Sequence, residues 1–350
     1  RLMNAGVVFR SAFCGPCFGA GDVPANGELS IRHTTRNFPN REGSKPDEGQ
    51  MSLVALMDAR SVAATAVNGG RITPATDFDV EYTNPEYIFN GSIYNNRIYN
   101  GFGNAKPNVE LQLGPNITDW PDMPALTDSI LIKIASYITD PVTTTDELLP
   151  SGDTGSFRSN PIRLSEFALS RKDPEYVQKA KEMLAIEQGR ERGDDVLILY
   201  PKLVEVYSKL KEVTGKAPNP QEISIGTAIY AIKPGDGSAR EQAASCQKVL
   251  GGWANLAMEY ATKRYRSNLI NWGIIPFILK EEPIFQKGDY IYIQGVKNAI
   301  KSEANLIKAY VINNDVKPID LYLSEMTTEE RNILEAGSLI NFNRATLSNE

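Results

Sequence analysis

The chain has 350 residues and a formal net charge of −6, from 37 Lys and Arg against 43 Asp and Glu. This length exceeds that of one ordinary domain, so two domains and a sizeable core are expected. An acidic balance argues against a general nucleic-acid surface, and the one histidine, His33, removes most Ser-His-Asp, Cys-His and multi-histidine metal schemes.

No run approaches about 18 unbroken apolar residues, and the N-terminus lacks a basic region leading into an apolar one. Neither a membrane span nor a signal peptide is expected, and a cytoplasmic location is the default. The chain opens on Arg1, directly ahead of the apolar run Ala5–Phe9, which predicts a buried strand and a start inside a domain.

A Gly/Pro/Asn-rich stretch follows from Cys14 to Gly27, then a short strand near Leu29–Ile31 and a polar loop from Thr34 to Gln50. Met51–Val67, rich in Ala, Leu, Met and Val with no internal Gly or Pro, predicts a helix closed by Asn68-Gly69-Gly70. From about Asn84 to Pro124 the Asn, Gly, Pro and Tyr content predicts an irregular interdomain segment.

Beyond it, Ile130–Ile134 predicts a strand, Pro174–Gln188 and Pro201–Val213 helices, and Ile223–Ile232 a strand that ends at Pro234-Gly235-Asp236-Gly237. A helix Glu241–Leu250, a strand Asn255–Tyr260, a helix Lys263–Trp272 and strands Ile274–Leu279 and Asp289–Gln294 continue the alternation. The last helix starts at Thr327, where Thr327 and Glu330 form a capping pattern, and stops at Gly337. The fold class is α/β throughout.

Three constellations bear chemistry. Cys14-Gly15-Pro16-Cys17 can turn two thiolates toward one metal centre or close a redox disulfide. The exchange reading expects a helix after Cys17, and Phe18-Gly19-Ala20-Gly21-Asp22-Val23-Pro24 stands there instead, which favours a metal or cluster. Cys246, amid Ala243, Ala244 and Val249 in a helix, reads as a small buried residue. Arg36 and Arg41 lie five apart in a loop, either solvated or gripping a carboxylate. Gly237-Ser238-Ala239-Arg240-Glu241 reads as a capping box of Ser238 with Glu241, or as an anion site built from a glycine turn, a hydroxyl and Arg240.

Together these pieces resemble the aconitase superfamily of iron–sulfur hydro-lyases. The resemblance rests on Cys14-Gly15-Pro16-Cys17, Arg36-Asn37-Phe38 with Arg41, Thr144-Thr145-Asp146 with Phe157-Arg158, and Gly237-Ser238-Ala239-Arg240-Glu241 in the family's order. Leu250-Gly251-Gly252, Asn268-Leu269, Gly273-Ile274-Ile275-Pro276 and Glu335-Ala336-Gly337-Ser338 also fit.

The resemblance implies that residues 1–100 end the family's third, three-layer α/β domain, that 101–129 link the domains, and that 130–350 form the β/β/α swivel domain. It implies a [4Fe–4S] cluster held by Cys14 and Cys17, with a third cysteine upstream of this chain, whose open iron serves as a Lewis acid. Arg36, Arg41, Arg158 and Arg240 are then substrate-carboxylate ligands, and Ser238 is the catalytic base. The implied activity is reversible dehydration of a hydroxy-polycarboxylate, requiring the N-terminal aconitase domains in the same polypeptide or a companion chain. This piece alone is expected to be inactive.

Thr35, Glu147 and Ala239 depart from the family's usual Asn, His and second Ser, pointing to a divergent hydratase. The alternative is a non-catalytic relative that binds a cluster or RNA as a regulator.

Overall fold

The computed structural model describes residues 3–9, 24–33, 49, 51–81, 86–114, 116–150, 154–216 and 218–347. They fall into two compact units, residues 1–109 and 110–350. Among the described residues no helix is long and apolar enough to cross a membrane.

In the first unit, strand β1 (Leu29–Arg32) pairs in parallel with β2 (Leu53–Leu56), Leu29 opposite Leu53. Helix α1 (Ala59–Val67) follows. The single helix expected over Met51–Val67 is thus corrected to a strand and a shorter helix. The break is at Asp58, whose backbone is extended and whose carboxylate accepts hydrogen bonds from the N–H groups of Arg60 and Ser61, capping the helix there.

The buried strand expected over Ala5–Phe9 is also corrected. Met3–Ala5 form a 3-10 turn, and Val7, Val8 and Phe9 are exposed and unpaired among the described residues, so nothing there satisfies a strand's backbone groups. A single helical turn, α2 (Ser92–Asn95), interrupts an otherwise irregular stretch.

The second unit begins its regular structure at β3 (Ser129–Ile138), followed by β4 (Thr143–Thr144), α3 (Thr145–Leu148) and α4 (Pro161–Ser165). Helices α5 (Tyr176–Glu191), α6 (Val196–Leu199) and α7 (Lys202–Thr214) precede β5 (Ile223–Ala231) and β6 (Pro234–Asp236). Then come α8 (Arg240–Val249), β7 (Gly252–Ala257), α9 (Lys263–Asn271), β8 (Ile275–Ile278) and β9 (Tyr290–Ile293). Helix α10 (Val296–Lys301), the hairpin β10 (Leu306–Ile312) and β11 (Val316–Tyr322), α11 (Thr328–Ala336) and α12 (Leu339–Leu347) complete it.

Seven strands close a barrel in the order β10-β11-β8-β7-β5-β3-β9. Strands β3, β5, β7 and β8 run parallel, and β9, β10 and β11 join antiparallel. Parallel strands covered on both faces read as continuous apolar runs, and every residue of β5 is buried.

Alternation along β3 and β5 separates three cores. Ile130, Ile132 and Ile134 join Tyr230, Leu256, Phe277, Ile291 and Val311 inside the barrel. Leu131 and Ile225 face Met183, Leu203, Tyr207 and Leu210 of α5 and α7. Ala135, Ile138, Ile229 and Ala231 pack with Leu164, Ala243, Ala244, Cys246 and Leu269 under α4, α8 and α9. A register shift between Ile134 and Ser136 lets β3 serve first the second of these cores and then the third.

The Thr327–Glu330 capping box forms as expected, with Glu330 N–H donating to Thr327 Oγ1 at 3.1 Å and Thr327 N–H to Glu330 Oε2 at 2.8 Å. Gly337 ends α11 in the left-handed region.

Candidate active site

The short strands β4 and β6 pair in parallel, Thr143 opposite Pro234 and Thr144 opposite Asp236, bringing the Thr-Thr-Asp motif against the glycine turn. Thr143 N–H donates to the Lys233 carbonyl at 3.0 Å. These two motifs lie about ninety residues apart in the sequence and share one ledge at the start of α8.

Two glycines make that ledge possible. At Gly235, with φ +98°, a β-carbon would lie 2.3 Å from the Tyr265 ring; at Gly237, with φ +126°, it would lie 2.3 Å from Thr145 Oγ1. Tyr265 is itself fixed, since Gln247 Nε2 and Asn255 Nδ2 each donate to its hydroxyl at 3.0 Å. The turn therefore rests on a ring anchored by α8 and β7. Ala261 N–H and the Thr262 hydroxyl donate to the carbonyls of Pro234 and Gly235, tying it from the α9 side.

Helix α8 starts at Arg240, with Ala239 as N-cap and no side-chain cap hydrogen bond. The expected Ser238–Glu241 capping box is therefore corrected. Ser238 lies one residue ahead of the capping position, because Gly237 in its positive-φ conformation carries the turn past it before helical geometry begins. Ser238 is exposed, and its hydroxyl has no hydrogen-bond partner among the described residues. Arg240 is half-buried beside it in sequence.

Glu147, by contrast, is engaged. It closes a capping box with Thr144, whose N–H donates to Glu147 Oε2 at 2.7 Å while Glu147 N–H donates to Thr144 Oγ1 at 3.2 Å. Its other oxygen meets Lys172 Nζ at 3.2 Å, and Lys172 also pairs with Asp140 at 2.7 Å. Those partners, Asp140 foremost, hold the Lys172 ammonium above its ordinary range. Sequence reasoning placed Glu147 near substrate and missed this network; its signal was the same Thr-x-x-Glu spacing read at Thr327.

Arg158 follows a 3-10 turn ahead of α4, is exposed, and makes no hydrogen bond or ion pair among the described residues. Helix α4 packs on α8 through Leu164. Cys14, Cys17, Arg36, Arg41 and Thr35 lie outside the described residues. Among the described residues there is no cluster of metal-ligating side chains. Cys246 is buried in the apolar layer under α8, and burial pushes its thiol far up, so it does not suit ligation as a thiolate.

Residues 1–69 match the family described as Aconitase family (aconitate hydratase). Homoaconitase, mitochondrial, of Cryptococcus neoformans is 24% identical over 296 residues, covering 80% of this chain and 33% of that protein. These matches place residues 1–69 in the aconitase superfamily. Within the superfamily, homoaconitase, mitochondrial, of Kluyveromyces lactis is 40% identical over 76 residues, 21% of this chain and 10% of that protein. The 3-isopropylmalate dehydratase large subunit of Nitratidesulfovibrio vulgaris is 40% identical over 76 residues, 21% of this chain and 17% of that protein. The chain thus spans from 10% to 33% of the length of these superfamily relatives. A solved 3-isopropylmalate dehydratase from Methanocaldococcus jannaschii is 22% identical, with 63% of this chain and 98% of that chain covered and a TM-score of 0.38.

Proposed function

We propose that this chain is part of an iron–sulfur hydro-lyase that reversibly dehydrates a hydroxy-polycarboxylate. The observation that carries the reading is Ser238: an exposed hydroxyl, unused in capping, held by an obligate glycine turn at the start of a ten-residue helix and followed two residues later by Arg240. Residues 1–100 end the third α/β domain on this reading, 101–129 link the domains, and 130–350 form the swivel domain. The boundary between the compact units, Val109 to Glu110, falls inside that linker.

Ser238 takes the proton alpha to a substrate carboxylate. A serine hydroxyl is a weak base at neutral pH, so the site must stabilise its deprotonated oxygen. Arg240 and the N–H groups of the first turn of α8, left without a side-chain cap, supply positive charge for that purpose. Arg36, Arg41, Arg158 and Arg240 grip substrate carboxylates, which accounts for an anion site on an acidic protein.

Cys14 and Cys17 would hold a [4Fe–4S] cluster with a third cysteine from the rest of the protein, and the match over residues 1–69 includes both. Such a cluster would supply Lewis acidity. The partners on this reading are the remaining aconitase domains and a small hydroxy-polycarboxylate.

The test is Ser238→Ala in the complete, cluster-loaded protein, assayed by alkene absorbance with hydroxy-di- and tricarboxylates. A kcat lower by about 10²–10⁴-fold with KM little changed is expected for loss of a general base. Unchanged turnover would remove Ser238 from the mechanism. Iron-free protein that binds RNA at physiological salt would instead favour a regulator.

A further inference from the structure

Strand β3 carries a single charged residue, Lys133, and apart from Lys133 and Tyr137 every residue of the strand is buried. Ile132 and Ile134 point into the barrel, so Lys133 projects the other way, as Leu131 does, toward α5 and α7. An ammonium on that face is costly unless something pairs with it.

The chain supplies no such partner among the described residues. Lys133 makes no hydrogen bond or ion pair there, and what faces its ammonium is the ring of Tyr290, opposite it on β9, with Nζ 5.8 Å from the ring centre. Its Nζ is not one of the sealed, unpartnered polar atoms of the interior, so it keeps accessible surface. Lys248 of α8, stacked 3.8 Å over the Trp253 ring, is the opposite case, because its Nζ is sealed.

Lys133 and Tyr290 border a cavity of about 300 Å³, at the lower end of the range for small-molecule sites. Met183 and Ile186 of α5, with Tyr200 and Leu203 at the turn from α6 into α7, give it apolar walls. The charged groups on its lining are Lys133, Lys202 and Glu182. Lys179 adds a more distant positive field and is paired with Glu175 at 2.6 Å. Burial lowers the Lys133 pKa; Glu182 opposes this, and Lys202 and Lys179 lower it further. Glu182 is exposed and forms no ion pair with Lys133. The amine is therefore short of negative charge on the side that opens to the cavity.

We propose that this cavity binds a small monocarboxylate with an apolar, aromatic body, its carboxylate on Lys133 and Lys202 and its body against the Tyr200 and Tyr290 rings. Two cations against one carboxylate leave room for one further negative charge. A second or third ligand carboxylate would be desolvated against Met183, Ile186 and Leu203, a neutral ligand would leave Lys133 unpaired, and a cation would be repelled by it. The ligand thus differs in class from a hydroxy-polycarboxylate, and the site stands independently of the roles given to Ser238 and Arg240.

The full chain is titrated by isothermal calorimetry with hydrocinnamate, with its neutral isostere hydrocinnamamide, and with tricarballylate as a polycarboxylate. Hydrocinnamate should bind saturably at one site, and the amide about tenfold or more weaker, as expected for loss of a charge-assisted contact. Lys133→Met keeps the stem and removes a partly buried charge, so the fold should survive, as a urea melt checks, while hydrocinnamate binding falls about tenfold or more and amide binding does not change. Glu182→Gln should tighten hydrocinnamate binding, and tricarballylate should not displace it. Equal binding of acid and amide, acid binding unchanged in Lys133→Met, or no binding of the acid would show a lysine whose stem packs while its head only reaches solvent, and would overturn the proposal. Displacement by tricarballylate would overturn the assigned ligand class.

Discussion

Gly237 stands so close to Thr145 that any β-carbon at position 237 would be 2.3 Å from the Thr145 Oγ1, and the equivalent atom at Gly235 would be 2.3 Å from the Tyr265 ring. The two contacts differ in what can yield. Thr145 can rotate its hydroxyl away, so Gly237→Ala mainly meets the strain of φ +126°, about 1–3 kcal/mol. Tyr265 is held by Gln247 and Asn255 and cannot move without breaking buried hydrogen bonds. Gly235→Ala should therefore lower unfolding free energy by about 4 kcal/mol or more, measured by urea denaturation, and exceed the cost of Gly237→Ala.

Lys248 makes stability depend on pH. Its folded pKa, about 7, lies below the ordinary lysine value of about 10.4, so between those values the unfolded chain binds a proton that the folded chain does not. Stability then rises with pH through this window, by up to about 1.4 kcal/mol per unit from this group, and the burial penalty is at full size below pH 7. Lys248→Met keeps the stem and removes the titration. The difference in unfolding free energy between wild type and variant should grow in favour of wild type between pH 7.5 and 9.5, and a flat difference would contradict the depressed pKa.

The Glu187–Arg190 pair locks α5 to the start of β5. Glu187 receives the Ile225 N–H, and Arg190 Nη1 donates to the Gln221 carbonyl at 2.9 Å. Both side chains are largely buried, so removing one strands the other's charge. Glu187→Ala should cost about 3–5 kcal/mol, and replacing both residues with apolar ones of similar size should cost less. A double-mutant cycle in urea checks this.

The sequence was most legible where the determinant is local. Thr327 and Glu330 cap α11 because both halves of that box lie within one turn of helix. Leu53–Leu56 were read into a helix because their apolar composition suits either state, and what makes them a strand is pairing with residues about two dozen positions earlier. Ser238 and Glu241 have capping spacing, yet Gly237's backbone, set by its approach to Thr145, moves the helix start beyond Ser238. Lys248 sits in a helix correctly located from sequence, but its burial over Trp253 depends on how α8 lies against β5 and β7. Within the candidate site, residue types and order were readable, and the joining of the Thr143–Thr145 and Pro234–Gly237 segments was not.

Cys246 should be inert in the folded chain. Its thiol is buried under α8 and held in the protonated form by desolvation. Iodoacetamide at pH 8 should leave it unmodified until urea is added. Cys246→Ala should cost about 1–2 kcal/mol through lost packing and leave iron content after anaerobic reconstitution of the complete protein unchanged. On the proposed cluster assignment, Cys14→Ser or Cys17→Ser should reduce that iron content.

Glu147 separates a structural role from a substrate-binding one. Its carboxylate caps α3 through Thr144 and pairs with Lys172, which retains Asp140 as a second partner. Glutamine preserves the reciprocal capping geometry and loses only a partly exposed ion pair, so Glu147→Gln should cost no more than about 1 kcal/mol. Alanine loses both functions, and Glu147→Ala should cost about 1–2 kcal/mol. Because the group is spent within the ledge, the Gln variant should keep kcat and KM of the complete protein within about twofold of wild type, whereas a carboxylate acting on the substrate would cost about 10²-fold or more when neutralised. Steady-state kinetics and urea melts on the same two variants decide it: a stability loss ordered Gln below Ala with intact turnover in Gln supports the structural role, and a collapse of kcat in Gln with unchanged stability would place Glu147 among the catalytic groups.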